Sequence, residues 1–93
     1  MATGAPADAW ERYVRDLGVR LQQLRVAKGL TQERLAVAAD ITSFTYRKLE
    51  KGESNPGTPA NPRLRTLMAL AEVLDVELAE LLPPGKPGVA IGR

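Results

Sequence analysis

The chain has 93 residues and a formal net charge of +2, and it contains neither cysteine nor histidine. This length suits one small domain, and the missing residue types exclude a disulfide framework, a zinc–thiolate site and a histidine general base. No apolar run approaches the roughly 20 residues of a membrane span, and the N-terminus lacks the features of a secretory signal, so a cytoplasmic location is expected.

A long amphipathic helix is predicted near the N-terminus. Residues 1–7 are small and include a proline, which indicates a disordered lead-in, and Asp8 is a candidate cap for the helix. Gly18 marks either a close contact between helices or a break in the helix, and Gly29 ends it. The apolar stripe at helical spacing consists of Trp10, Tyr13, Val14, Leu17, Leu21 and Leu24.

Two short helices joined by a tight turn are predicted within residues 31–52. Thr31 and Thr42 are candidate N-caps, and Gly52 is placed to end the second helix. Tyr46 and Leu49 mark the inner face of that second helix. The side chains that then point outward are Ser43, Phe44, Arg47 and Lys48. A short helix with polar, basic and apolar residues on its open face suits the DNA major groove.

The second half of the chain predicts a loop followed by two more helices. Residues 53–60 are a loop by composition, with two prolines and a glycine, and Asn61 is placed to cap a fourth helix that has Pro62 at its first position. Residues 84–93 are a predicted flexible tail. The apolar residues assigned to the last two helices are Leu64, Leu67, Met68, Ala71 and Leu74, then Leu78, Leu81 and Leu82.

The segment LRVAKGLTQERLAVAADITSFTYRKLEKGESNP resembles the helix-turn-helix domains of phage repressors and Cro proteins, the Cro/C1-type or XRE family. Residues 61–82 resemble the last two helices of that family. The resemblance implies an all-α, compact five-helix lambda-repressor-like domain over residues 8–83, with the helix-turn-helix in helices 2 and 3. The matching signature is Leu24-Arg25, Gly29-Leu30-Thr31-Gln32, Leu35-Ala36, Leu49-Glu50 and Gly52.

Two departures from the family pattern stand out. Asp40 and Asp75 occupy turn positions where the family favours glycine, and aspartate tolerates the left-handed conformation better than most residues. The family also runs from Asn-Pro straight into the fourth helix, whereas this chain has a second Asn-Pro pair at residues 61–62. We therefore predict an inserted loop at about 53–61.

Base contacts are expected from the outward residues of the third helix. Arg47 or Lys48 can donate to guanine, Ser43 can serve either base type, and Phe44 can touch a thymine methyl. The alternative for Phe44 is packing onto the inserted loop, and the alternative for the whole face is a solvated surface.

Phosphate contacts are expected from Gln32 and Thr42 at two helix N-termini, and from Arg63 and Arg65 after the loop. The resemblance implies that Gln32 is the family's backbone-clamping glutamine. It also implies that the residues in the positions of Arg25 and Glu50 form an ion pair between the first and third helices.

The sequence thus favours a sequence-specific DNA-binding transcriptional regulator that needs no metal or cofactor and acts as a homodimer. The fifth helix with the tail, or the turn of Trp10 and Tyr13, can form the dimer surface. The alternative is a protein-interaction adaptor, antitoxin-like or coactivator-like, which the low net charge, Phe44 and the unusual loop favour. An enzyme has little support, because the sequence has no glycine-rich phosphate loop or metal-ligand cluster.

Overall fold

The structure of the protein is a computed structural model that describes the backbone of residues 5–90 and the side chains of residues 9–90. The predicted all-α fold of five helices is confirmed, with one small antiparallel hairpin added. The elements are α1 (Ala5–Ala27), α2 (Gln32–Ala38), α3 (Ser43–Lys51), β1 (Glu53–Asn55), β2 (Thr58–Pro59), α4 (Leu64–Leu74) and α5 (Leu78–Leu81).

α1 begins earlier than the sequence predicts. Its first residue is Ala5, so Asp8 lies inside the helix and is not its cap. Alanine is the strongest helix former, and Pro6 is tolerated because amides in the first turn have no intrahelical acceptor. Residues 1–4 of the predicted lead-in lie outside the described residues.

Gly18 marks a close contact between helices and not a break, since α1 continues to Ala27. A Cβ atom at this position would stand 2.2 Å from the carbonyl oxygen of Glu50, which is far inside van der Waals contact. Only glycine lets the backbones of α1 and α3 approach this closely.

The core collects apolar side chains from all five helices. Tyr46 of α3 is fully buried, and Trp10, Tyr13 and Leu24 pack against the core while partly exposed. The buried residues are Val14, Leu17, Leu21, Leu35, Ala36, Ala39, Tyr46, Leu49, Ala60, Leu70, Ala71, Leu74 and Leu81. Because α1, α2 and α3 each contribute, the core fixes the orientation of the helix-turn-helix relative to α1.

Both aspartates that replace a family glycine adopt the left-handed conformation, as expected. Asp40 has φ +61° in the turn between α2 and α3, and Asp75 has φ +59° at the end of α4. The amide of Ile41 donates to the carbonyl of Ala36, and that of Val76 donates to Ala71, so the two turns are closed in the same way.

The predicted loop after α3 is a hairpin. β1 and β2 pair antiparallel with an irregularity at Ser54, and Pro56 and Gly57 (φ +80°) occupy the positions that a type II turn assigns to proline and glycine. At the base of the hairpin the amide of Ala60 donates to the carbonyl of Gly52 at 2.8 Å. Trp10 of α1 donates its indole N–H to the carbonyl of Ala60 at 3.1 Å, which ties the hairpin to α1.

The prediction for the start of α4 was wrong. The cap position is Arg63, which makes no side-chain capping bond, and the helix begins at Leu64, so neither Asn61 nor Pro62 belongs to it. The buried stripe shifts accordingly to Leu67, Leu70, Ala71 and Leu74, with Leu67 only half-buried. Leu64 and Met68, which the sequence assigned to the core, are 65% and 44% exposed.

α5 is short and starts with a capping box in which the backbone N–H of Glu77 donates to the side chain of Glu80 at 3.0 Å. Leu81 is buried, and Leu78 and Leu82 pack against the core. Residues 84–90 form neither helix nor strand, and residues 91–93 of the predicted tail lie outside the described residues. None of the helices within residues 5–90 combines the length and apolar character needed to cross a membrane.

Candidate nucleic-acid interface

The two N-caps that the sequence predicts define the helix-turn-helix. The Thr31 hydroxyl accepts a hydrogen bond from the backbone N–H of Arg34, and the Thr42 hydroxyl accepts one from that of Thr45, both at 3.0 Å. Gly52 ends α3 with φ +77°. A Cβ atom at Gly52 would lie 2.8 Å from the Cα atom of Arg15, so this helix end is pressed against α1.

The inner face of α3 carries a polar cluster around the carboxylate of Glu50. Arg25 donates from Nε at 2.6 Å and from Nη2 at 3.3 Å, and Gln32 donates from Nε2 at 2.9 Å. The hydroxyl of Tyr46 donates to the same carboxylate at 2.5 Å. Arg25 also donates to the carbonyl of Leu30 at 2.9 Å. One carboxylate therefore connects α1, α2 and α3.

The electrostatics of this cluster follow from its geometry. Burial disfavours the Glu50 carboxylate, but the hydrogen bonds from Arg25, Tyr46 and Gln32 outweigh burial and lower the pKa of Glu50 below its usual value. The hydrogen bond to Glu50 raises the pKa of Arg25, and burial raises the pKa of Tyr46. Both members of the pair are mostly buried, because their side chains are 13% and 7% exposed for Arg25 and Glu50 respectively. The lowered pKa of Glu50 and the raised pKa of Arg25 both favour the charged forms, and the hydrogen bonds between the two side chains hold them in place.

The outer face of α3 is open. Phe44 is 62% exposed, and Arg47 is exposed beside it, while Lys48 and Ser43 are half-buried. The Lys48 ammonium lies over the Phe44 ring, 4.4 Å from its centroid. Phe44 is therefore not packed onto the loop after α3, which was the alternative interpretation of its exposure.

Lys51 is a further residue on the outer face that the sequence analysis missed. It is exposed, and it follows Arg47 by four positions and Phe44 by seven, so the three share one side of the helix. Among the described side chains, those of residues 9–90, the ion pairs are Glu11–Arg15 and Arg25–Glu50, so Arg47, Lys48 and Lys51 have no ion-pair partner there. The helical periodicity of α3 in the sequence already indicated that Lys51 lies on the same face as Phe44 and Arg47.

The predicted phosphate ligands fall into two kinds. The side chain of Gln32 donates to Glu50, and the hydroxyl of Thr42 both accepts from the Thr45 amide and donates to the Thr45 hydroxyl at 2.9 Å. These two side chains are therefore engaged within the protein. The N-termini of α2 and α3 that they mark still present backbone N–H groups.

Arg63 and Arg65 are exposed but stand in different places. Arg63 lines a groove of about 390 Å³ on the flank of α3, together with Thr45, Leu49 and the chain before α4. Arg65 lines a separate groove beside the turn between α2 and α3, near Asp40 and Ile41. The two arginines therefore line neighbouring grooves that share Thr66, one against α3 and the other against the turn between α2 and α3. No group of three or more acidic side chains among the described residues could hold a metal ion.

Comparisons with known proteins agree with this architecture. The profile of a family described as "Helix-turn-helix domain" matches residues 16–82. Among solved structures, the chain is similar to the restriction-modification controller protein C.AhdI from Aeromonas hydrophila, with 33% sequence identity and a TM-score of 0.68. The match covers 77% of this chain and 96% of that one. The search of curated proteins gives no significant match.

Proposed function

The chain belongs to the Cro/C1-type helix-turn-helix family and is a DNA-binding transcriptional regulator, and from this premise we propose that the outer face of α3 reads the major groove of double-stranded DNA. The observation that supports this proposal is the set of cations on that face, the exposed Arg47 and Lys51 with the half-buried Lys48, which have no ion-pair partner among the side chains of residues 9–90. Such cations bind DNA phosphates and release the counterions condensed on the DNA.

Each outward residue of α3 has a chemistry that suits a base edge. Arg47 and Lys48 donate to O6 and N7 of guanine, and the Ser43 hydroxyl can donate or accept. Phe44 brings an apolar surface. Because N-terminal residues of a recognition helix reach base edges, Ser43 and Phe44 enter deepest, and Lys51 at the far end binds a phosphate.

Phosphate contacts surround this face. The free N–H groups at the N-termini of α2 and α3, next to Gln32 and Thr42, bind phosphate oxygens with help from the helix dipoles. Arg63 and Arg65, which line neighbouring grooves beside α3 and the turn before it, bind the DNA backbone there. The side-chain NH2 group of Gln32 donates one hydrogen to Glu50 and its second hydrogen to the phosphate.

A homodimer on two half-sites roughly 34 Å apart is part of the proposal, because one domain makes too few base contacts for high specificity. Trp10 and Tyr13 stack on each other with centroids 5.7 Å apart, and Trp10 is bonded to Ala60, so that turn is engaged within the chain. This favours α5 and the residues after it as the dimer surface, where Val89 is 56% exposed. Sedimentation across a concentration series measures the oligomeric state.

The central experiment selects bound fragments from random DNA and then measures their affinity as a function of salt. Phosphate neutralisation predicts that log K falls by about 0.9 for each contacted phosphate per decade of salt. Arg47→Ala is expected to lose about 1–3 kcal/mol of discrimination at one position, whereas Gln32→Ala weakens all sequences alike.

Arg12→Ala is the matched control, since Arg12 is an exposed cation on α1. It is expected to leave both affinity and sequence preference unchanged. Because Gln32 also donates to Glu50, thermal unfolding of its variant separates a loss of folded protein from a loss of binding. Recovery of no preferred sequence, with no salt dependence, would contradict the proposal and favour the adaptor alternative. The proposal includes a cytoplasmic location and no catalytic activity.

A further inference from the structure

Phe44 is the least expected residue on the outer face of α3. Its ring is 62% exposed at the second position of the helix, where groove-reading residues lie. The Lys48 ammonium covers part of it, 4.4 Å from the centroid. An exposed phenylalanine ring gains nothing from water, whereas an apolar group on a ligand would cover it favourably.

The major groove offers one such apolar group. The C5-methyl of thymine is the one hydrocarbon group that protrudes into the groove, beside hydrogen-bond donors and acceptors and the small C5–H of cytosine. 5-Methylcytosine carries a methyl at the same ring position. An aromatic ring entering the groove can therefore distinguish methylated from unmethylated pyrimidines.

The contact with Lys48 couples this readout to a second base. The ammonium is one helical turn from Phe44 along α3 and 4.4 Å from its ring centroid, so the two groups are close enough to reach neighbouring bases, which are 3.4 Å apart along one strand. A lysine so placed can donate to a guanine beside the pyrimidine that the ring contacts. The cation–π interaction also restricts both side chains before binding, which reduces the entropy lost in the complex.

We propose that Phe44 and Lys48 act as one unit that reads a 5-methylpyrimidine next to a guanine, so that thymine and 5-methylcytosine are accepted at this position and uracil and cytosine are disfavoured. The inference rests on the proposed function, because it assumes that the outer face of α3 binds duplex DNA. It makes operator binding sensitive to cytosine C5 methylation.

The experiment compares a selected fragment synthesised with thymine against the same fragment synthesised with uracil. Loss of one methyl contact in each protomer of a dimer is expected to weaken binding about fourfold per contact, or roughly fifteenfold for two. Phe44→Ala is expected to bind both fragments equally, and Phe44→Leu to retain part of the preference. Val37→Ala, which alters an exposed valine on α2, is the matched control and keeps the full preference.

Two further arms test the unit itself. At the thymine identified by single uracil substitutions, 5-methylcytosine is expected to bind about fourfold more tightly than cytosine. Replacing the adjacent guanine by 7-deazaguanine removes the N7 acceptor, and this is expected to weaken the wild-type protein but not Lys48→Met.

Each outcome separates the inference from the proposed function. Equal binding of thymine and uracil fragments by the wild-type protein overturns the inference while leaving DNA binding intact. A preference for thymine that persists in Phe44→Ala overturns it as well. Failure to bind either fragment overturns the proposed function instead.

Discussion

The inner and outer faces of α3 both carry charged side chains, but in opposite surroundings. On the inner face, the Glu50 carboxylate accepts hydrogen bonds from Arg25, Gln32 and Tyr46. Its ion pair with Arg25 is mostly buried. On the outer face, Arg47 and Lys51 are exposed without an ion-pair partner in the described chain. Charge on one side of the helix therefore fixes its position, and charge on the other side is available to a ligand.

The largest expected effect comes from breaking the inner pair. Arg25→Ala or Glu50→Ala leaves an uncompensated buried charge and is expected to lower the free energy of unfolding by about 3 kcal/mol. A double-mutant cycle measured by denaturant unfolding is expected to show strong coupling, because the second substitution removes a charge already left without its partner.

The exposed pair Glu11–Arg15 is the matched control for this cycle. Its atoms are 3.5 Å apart, and its side chains are 49% and 60% exposed, so coupling of at most about 0.5 kcal/mol is expected. Equal coupling in the two pairs would remove the distinction between a buried tie and a surface contact.

The second effect tests how closely the inner face is pressed against α1. Gly18→Ala is expected to destabilise the protein by about 2 kcal/mol, because the new Cβ meets the carbonyl of Glu50 and neither backbone can yield. Helix propensity alone predicts the opposite sign, a gain of about 1 kcal/mol. Val19→Ala, at an exposed neighbouring position of α1, is the control, and a stabilised Gly18→Ala protein would contradict the described contact.

The third test uses pH to measure how much the charged Glu50 on the inner face contributes to stability. The lowered pKa of Glu50 means that its contribution to stability is complete above the ordinary glutamate pKa and is lost as pH falls through the lower, folded value. Unfolding measured from pH 7 down to pH 2 is expected to show a steeper loss in the wild-type protein than in Glu50→Gln. Identical pH profiles would mean that Glu50 is not stabilised in its charged form.

The smallest effect concerns the turn that sets the two helices at their angle. Asp40 has φ +61°, so Asp40→Gly is expected to raise the free energy of unfolding by about 0.5 kcal/mol, the net of relieved strain and added chain entropy. Ala38→Gly, at the end of α2, is expected to destabilise by up to about 1 kcal/mol. If both substitutions destabilised the protein, the left-handed turn would be ruled out as a source of strain.

The sequence predicted those parts of the fold that depend on local chemistry. Thr31 and Thr42 mark the starts of α2 and α3, because their hydroxyls accept hydrogen bonds from backbone amides three residues ahead. Asp40 indicated a left-handed turn because it occupies a position where the family favours glycine. The stripe of α1 also emerged from spacing alone.

The polar cluster could be predicted only in part. The pairing of Arg25 with Glu50 was implied by resemblance, but Tyr46 was assigned to the apolar inner face and Gln32 to phosphate. Nothing local indicates that both donate to Glu50, because the contacts join three helices through the tertiary fold. The start of α4 was misplaced because Asn61-Pro62 is a strong cap signal that the preceding hairpin overrides, and β1 and β2 are too short to show a period of two.

The hairpin between α3 and α4 is closed at its base by the bond from Ala60 to Gly52 and anchored to α1 through Trp10. The spacing between α3 and α4 is therefore fixed at the base of the hairpin, and the turn at its tip, Pro56 and Gly57, adds no constraint. Peptide tags or fluorophore-accepting segments inserted there would cost only about 0.6 kcal/mol for each doubling of loop length. That makes the tip a natural attachment point for a reporter on an otherwise unaltered regulator.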